Sequence, residues 1–100
     1  MIKHIVIWRL KEEAHGISKI ENARLLKEKL EALNGKIPGL IKLEVGFDFS
    51  HTDTSSDVAL YSEFESKEAL KAYQDHPLHK AVVLFLKEVR LEKRVVDYEG

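Results

Sequence analysis

The chain of 100 residues has no cysteine, which excludes disulfides, thiolate metal sites and a cysteine nucleophile. Two prolines and five glycines are too few for a linker or a low-complexity tract, and none of the glycines forms a Gly-x-Gly-x-x-Gly or Lys-Ser/Thr phosphate loop. No cofactor is therefore expected. The net charge of -1 offers no long-range attraction to nucleic acid, because lysines and arginines are interspersed with aspartates and glutamates. No apolar run approaches the ~20 residues that a membrane helix needs. The first residues lead straight into strand-like sequence without a basic stretch and apolar signal core, so a cytoplasmic location is the expectation. What is present, 44% apolar and 33% charged residues, is the balance of one globular domain over residues 1–100 with a single core.

Ile2 to Leu10 is rich in β-branched and aromatic side chains and reads as a strand. Ser18 and Glu21 form a capping-box pattern. Ala23, Leu26, Leu30, Leu33 and Ile37 follow at helical spacing, before Asn34-Gly35 and Pro38-Gly39 stop the helix. Leu40 to Phe49 alternates, with Ile41, Leu43, Val45, Phe47 and Phe49 on one side and Lys42, Glu44, Gly46 and Asp48 on the other. A polar stretch from Ser50 leads to a third strand over Asp57 to Glu65. Ser66 caps a second helix carrying Ala69, Leu70 and Tyr73, which Asp75-His76-Pro77 breaks and restarts. The restarted helix carries Leu78, Val82, Phe85 and Val89, and Arg90 to Tyr98 is the last strand.

The order predicts an α+β, ferredoxin-like β-α-β-β-α-β fold: a four-stranded antiparallel sheet with its helices on one face. The uncovered face should be polar in a monomer. Strand two complies, but the central strands do not. If His4, Val6 and Trp8 face the helices, Ile5 and Ile7 face away beside Ala59 and Tyr61, joined by Val95 or Val96. A patch of roughly a few hundred Å² is at the upper end for a monomer. Two copies packed about a two-fold axis would cover both patches. Ile5, Ile7, Ala59 and Tyr61 are therefore the expected dimer interface.

The start IKHIVIWRLK, the element order and above all the run from Ala69 to Val82, ALKAYQDHPLHKAV, resemble the stress-responsive A/B barrel (Dabb) family over essentially the whole chain. The resemblance implies a dimeric α+β barrel, reached independently above. The family spans stress-induced plant proteins, a stable ring-forming assembly, a plant cyclase of polyketide-like chains and many bacterial proteins without an established activity, so the fold does not transmit one function.

His79 and Tyr73 are the candidate catalytic pair. The Asp-His-Pro break lets them converge, and an imidazole can take a proton from carbon while a phenol holds the resulting enolate oxygen. The resemblance assigns this work to the same two residues. The structural alternative is that His79 packs at a helix start and bonds a backbone carbonyl or Tyr73. His4 shares a face with Trp8, and is either a satisfied core histidine or, as the resemblance implies, part of the same pocket. A pocket of about 300 Å³ or more between sheet and helices, lined by His4, Trp8, Tyr73, His79 and Val58, would take a small organic ligand. Val58 stands where the cyclase-like members carry a further histidine, and Leu30 where they carry a tyrosine, which argues against plant-type cyclisation and leaves a simpler proton transfer. His76 and His79 have no carboxylate beside them in sequence, so no metal is expected. His15 and His51 are expected in solvent. A non-catalytic role in stress or assembly is the competing reading.

Overall fold

A computed structural model describes residues 1–100. Strand β1 (Ile2–Leu10) is followed by a short hairpin of β2 (Glu13–Ala14) and β3 (Ile17–Ser18), helix α1 (Lys19–Glu31), β4 (Leu40–Phe47), β5 (Val58–Phe64), α2 (Lys67–Asp75), α3 (Pro77–Val89) and β6 (Arg90–Glu99). The four long strands form one antiparallel sheet in the order β4-β5-β1-β6. This is the expected ferredoxin-like arrangement, with β1 and β5 at its centre. No helix is long and apolar enough to cross a membrane.

Capping explains where the helices begin. The Ser18 hydroxyl accepts from the Glu21 amide at 3.2 Å and the Ser66 hydroxyl from the Ala69 amide at 3.1 Å, each satisfying an amide that the helix itself leaves free. Only half of the anticipated capping box forms, because the Glu21 carboxylate pairs with Arg24 at 2.8 Å instead of reaching back. Helix α1 also ends a turn earlier than its apolar spacing suggested. Leu33 and Asn34 bond back only three residues, to Leu30 and Glu31, so a tighter turn carries Leu33 and Ile37 into the core. Gly39 then adopts φ +83°, and a Cβ there would lie 2.5 Å from that of Ala69.

The core lies between the sheet and the helices, built from Val6, Trp8 and Leu10 of β1, Leu43 and Val45 of β4, Val58, Leu60 and Phe64 of β5, and helix residues including Leu26, Leu30, Val82, Leu86 and Val89. Two details of the strand and helix patterns are corrected. A register shift between Leu40 and Lys42 inserts one extra residue, so Ile41 leaves the face of Leu43 and Val45 and is exposed. On α3, Leu86 takes the buried place assigned by spacing to Phe85, while Leu78 stays half exposed.

The opposite face of the sheet has no helix. Cross-strand pairing sets Ile5 between Tyr61 and Val96, and Ile7 between Ala59 and Arg94. Val96, not Val95, joins this face, since Val95 pairs with Val6. Ile7 is 38% and Val96 58% exposed. Around them the face is polar: Lys42 lies over the Tyr61 ring at 5.6 Å, and the Tyr61 hydroxyl donates to Glu63 at 2.6 Å. That bond to Glu63, foremost among several causes, pushes the phenol up to about 12.

Strand β4 is at the sheet's edge, where free amides and carbonyls can recruit another strand. Three α1-side residues occupy them. Lys27 donates to the Val45 carbonyl at 2.6 Å, Glu31 accepts from the Val45 amide at 3.1 Å, and Asn34 donates to the Leu43 carbonyl at 2.8 Å. The Lys27 ammonium, together with the Val45 amide, lowers the Glu31 carboxyl against its partial burial.

Two outcomes follow from this packing. Gly39→Ala should destabilise the fold by about 2 kcal/mol or more in denaturant titrations, because it adds both a left-handed backbone penalty and a clash with Ala69. Glu31→Ala should raise the fraction of aggregate in light scattering by freeing the Val45 amide; an unchanged monodisperse profile would refute the masking role of that carboxylate.

Candidate functional site

Proline at position 77 has no amide to contribute and fits only a first helical turn. The chain therefore stops α2 at Asp75 and begins α3 at Pro77, with His76 serving both ends. Its amide donates to the Tyr73 carbonyl at 3.1 Å, and its Nδ1 accepts from the Leu78 amide at 3.1 Å. This turn brings Tyr73 and His79 together with ring centroids 4.3 Å apart and planes inclined at 45°. Tyr73 also packs on Phe64 at 4.9 Å and on His4 at 6.3 Å. His4, Tyr73 and His79 thus form one aromatic cluster between β1 and the α2–α3 break.

Each member has a distinct electrostatic setting. His79 Nδ1 donates to the Gln74 carbonyl at 3.3 Å, which leaves the lone pair on Nε2. The backbone bond is the one the structural alternative anticipated, yet it also sets the tautomer a base requires. Burial first, then the positive potentials of His4, Lys93 and His76, lower the His79 imidazole from its ordinary value, against the Gln74 carbonyl, which raises it. Burial alone raises the Tyr73 phenol, so it remains a proton donor. Its hydroxyl is fully enclosed and has no hydrogen-bond partner.

His4 is buried and satisfied: Nδ1 bonds the Asp97 carboxylate, while the His4 backbone carbonyl accepts from the buried Ser62 hydroxyl at 2.9 Å. Asp97 is the site residue that motif reading missed. Its signal was positional, since matching Val95-Val96 of the last strand against Ile5-Val6 of the first places Asp97 opposite His4. Asp97 also lines a cavity of about 260 Å³ with Ile2, Lys67, Leu70, Tyr98 and Glu99.

The anticipated pocket wall is not one surface. Trp8 and Val58 are direct cross-strand neighbours, four residues along β1 from His4, or roughly 13 Å at strand rise. Both are buried in the core, and the Trp8 indole N–H has no partner. None of the five principal cavities is lined by His4, Trp8, Tyr73 or His79; Val58 borders a separate one of about 390 Å³. The cluster meets the surface at His79, which is partly exposed, and next to it at Asp97, and no open chamber of the expected kind lies between sheet and helices in the single chain. The outlying histidines are exposed, as expected: His15 pairs at the surface with Glu88 at 2.5 Å, and His51 is held through its backbone amide, which donates to Asp48 at 2.8 Å. No group of three metal-ligating side chains occurs.

A lowered His79 binds fewer protons folded than unfolded, so its contribution to stability is complete above the unfolded value of about 6.5 and is lost as pH falls through the folded value. NMR titration of the His79 ring should give a midpoint below 6.5, and His79→Leu should flatten stability between about pH 7 and pH 5 relative to the native chain. A midpoint at or above the ordinary value would contradict this setting.

The chain as a whole is similar to known proteins. The sequence profile described as the Stress responsive A/B Barrel Domain matches residues 2–100. An uncharacterised protein of Streptomyces coelicolor is 32% identical over 100 residues, with 99% of each chain covered. A crystal structure from Bacteroides fragilis, described as a dimeric protein of unknown function with a ferredoxin-like fold, superposes with a TM-score of 0.85 at 35% identity, covering 99% of this chain and 95% of that one. A protein of Arabidopsis thaliana superposes with a TM-score of 0.80 at 27% identity, covering 100% and 95%. With its fold, its His-Pro-x-His turn and this end-to-end match, the chain belongs to the stress-responsive A/B barrel family.

Proposed function

We propose that this protein is a homodimer that binds a small carbonyl-containing organic molecule beside the α2–α3 break and transfers a proton there. The observation that carries the reading is the Tyr73 hydroxyl, enclosed without a partner and stacked on an imidazole whose pKa is lowered. A buried hydroxyl left unbonded costs roughly 1–3 kcal/mol, and a ligand oxygen would recover it. In this reading His79 Nε2 takes a proton from the carbon next to a carbonyl. The C–H electron pair moves into an enolate, and the Tyr73 O–H donates to its oxygen. Asp97 orients His4, whose ring packs on Tyr73; it is a positioning residue. Entry is by the Asp97 cavity, with side-chain movement on α2 opening the way to the phenol. The dimer reading is supported by the apolar residues on the helix-free face and by the dimeric Bacteroides fragilis relative.

The burial of Tyr73, His4 and, farther along β1, Trp8 favours a second reading, in which the protein has no substrate and serves assembly or stability. One experiment separates them. Deuterium incorporation into a β-diketone, followed by proton NMR in D₂O, should be accelerated by the native chain. Tyr73→Phe should slow it about 10²-fold and His79→Ala should abolish it, with dimer and melting curve retained. No acceleration, with no carbonyl compound shifting the melting temperature and with oligomers larger than a dimer, would establish the assembly reading.

A further inference from the structure

Helix α1 runs out beside the start of α3, and the two leave a cavity of about 200 Å³ between them. Leu33 and Val82, both buried, form its floor, and the half-exposed Leu78 forms one side. Ala32 and Ala81 complete the apolar wall, and their methyl groups are too short to fill the space. The rim is basic. Lys29, Ala32, Leu33 and Lys36 recur at steps of three and four, which puts both lysines on the side of α1 and its closing turn that faces α3.

Neither lysine is neutralised. Lys29 and Lys36 take part in no ion pair, and Lys29 reaches only the face of Phe85, 5.2 Å from the ring centre. No acidic residue lines the cavity. Of the carboxylates next to Lys29 on α1, Glu28 lies outside the wall and Glu31 is committed to Lys27 and the Val45 amide. The C-terminus of α1 and the N-terminus of α3 meet here, so opposite ends of their macrodipoles offset each other and the lysines decide the sign. An apolar floor under an unneutralised cationic rim is complementary to an organic anion with a hydrocarbon tail.

We propose that this cavity binds a free monocarboxylate with a short aliphatic tail, the tail resting on Leu33, Leu78 and Val82 and the carboxylate meeting Lys36. Lys29, held over Phe85, adds positive potential rather than the direct contact. The volume lies below the roughly 300 Å³ at which drug-sized ligand sites begin, so a medium-chain acid fits and a full lipid does not. The site is separate from the Tyr73–His79 cluster, neither of which lines it. It lies in the helix layer, and a dimer formed through the opposite face of the sheet leaves it open.

Amide chemical shifts of the native chain during titration with acetate, butanoate, hexanoate and octanoate test the proposal. Affinity should rise about fourfold for each methylene that enters and level off once the cavity is full, with the largest shifts at Leu33, Lys36 and Ala81. Octan-1-ol should bind more weakly than octanoate, and the difference should shrink as salt screens the lysines. Lys36→Met, which retains the aliphatic stem, should weaken octanoate about threefold and leave octan-1-ol unchanged. Ala81 is exposed and outside the core, so Ala81→Glu should keep the native circular dichroism while its carboxylate abolishes octanoate binding. Undiminished octanoate binding by Ala81→Glu, equal affinity for octan-1-ol and octanoate, or shifts centred on Tyr73 and His79 would overturn the proposal. A silent titration would also overturn it. Pelleting of the native chain with phosphatidylglycerol vesicles would then give the surface to a membrane, and loss of a larger oligomer in Ala81→Glu would give it to a second copy.

Discussion

The central constraint is that β1 and β5 carry apolar side chains on both faces while the helices can cover only one. Alternation along β1 sends Val6, Trp8 and Leu10 into the core and leaves Ile5 and Ile7 on the far side, beside Tyr61 and Ala59. With helices crossing one face of an antiparallel sheet, no further element of this chain can reach the other. Every statement about assembly begins there. It is also why the polar rim matters: Lys42, Glu63 and Tyr98 surround the apolar strip and limit its extent.

A second consequence concerns the edges. An antiparallel sheet that presents one apolar face is at risk of pairing edge to edge as well as face to face. Along β4, Lys27, Glu31 and Asn34 bond the outward amide and carbonyls, so α1 both packs on the sheet and closes one of its edges. The charges that look like an ordinary wet helix surface in the sequence are thus partly committed to the backbone of a neighbouring strand.

The candidate site arises from a local break rather than from a cavity. Proline at the start of α3 divides what would be one helix, and the turn stacks Tyr73 on His79. Burial then separates the two groups chemically, raising the phenol and lowering the imidazole. Asp97 joins from the opposite sheet edge and sets His4 against the cluster. The same arrangement serves as good packing, which is why its proposed chemistry stands on the unpartnered phenol and not on the presence of histidines.

Element types and order were legible in the sequence because each carries a local physical signal: the alternation of Leu43 and Val45, the caps at Ser18 and Ser66, the Pro77 break. The inward and outward faces of β1 followed from the same alternation. The resemblance in Ala69 to Val82 named the family and pointed to His79 and Tyr73. What tertiary structure alone decided depended on register and distance. The extra residue at Ile41 turned it outward, the Glu21 carboxylate found Arg24, and Leu86 displaced Phe85 from the core. Trp8 and Val58 share a face with His4 but lie too far along the strand to share its site. Asp97 reached His4 only through the pairing of the first and last strands, 93 residues apart, because periodicity says which way a side chain points and only strand register says what it meets.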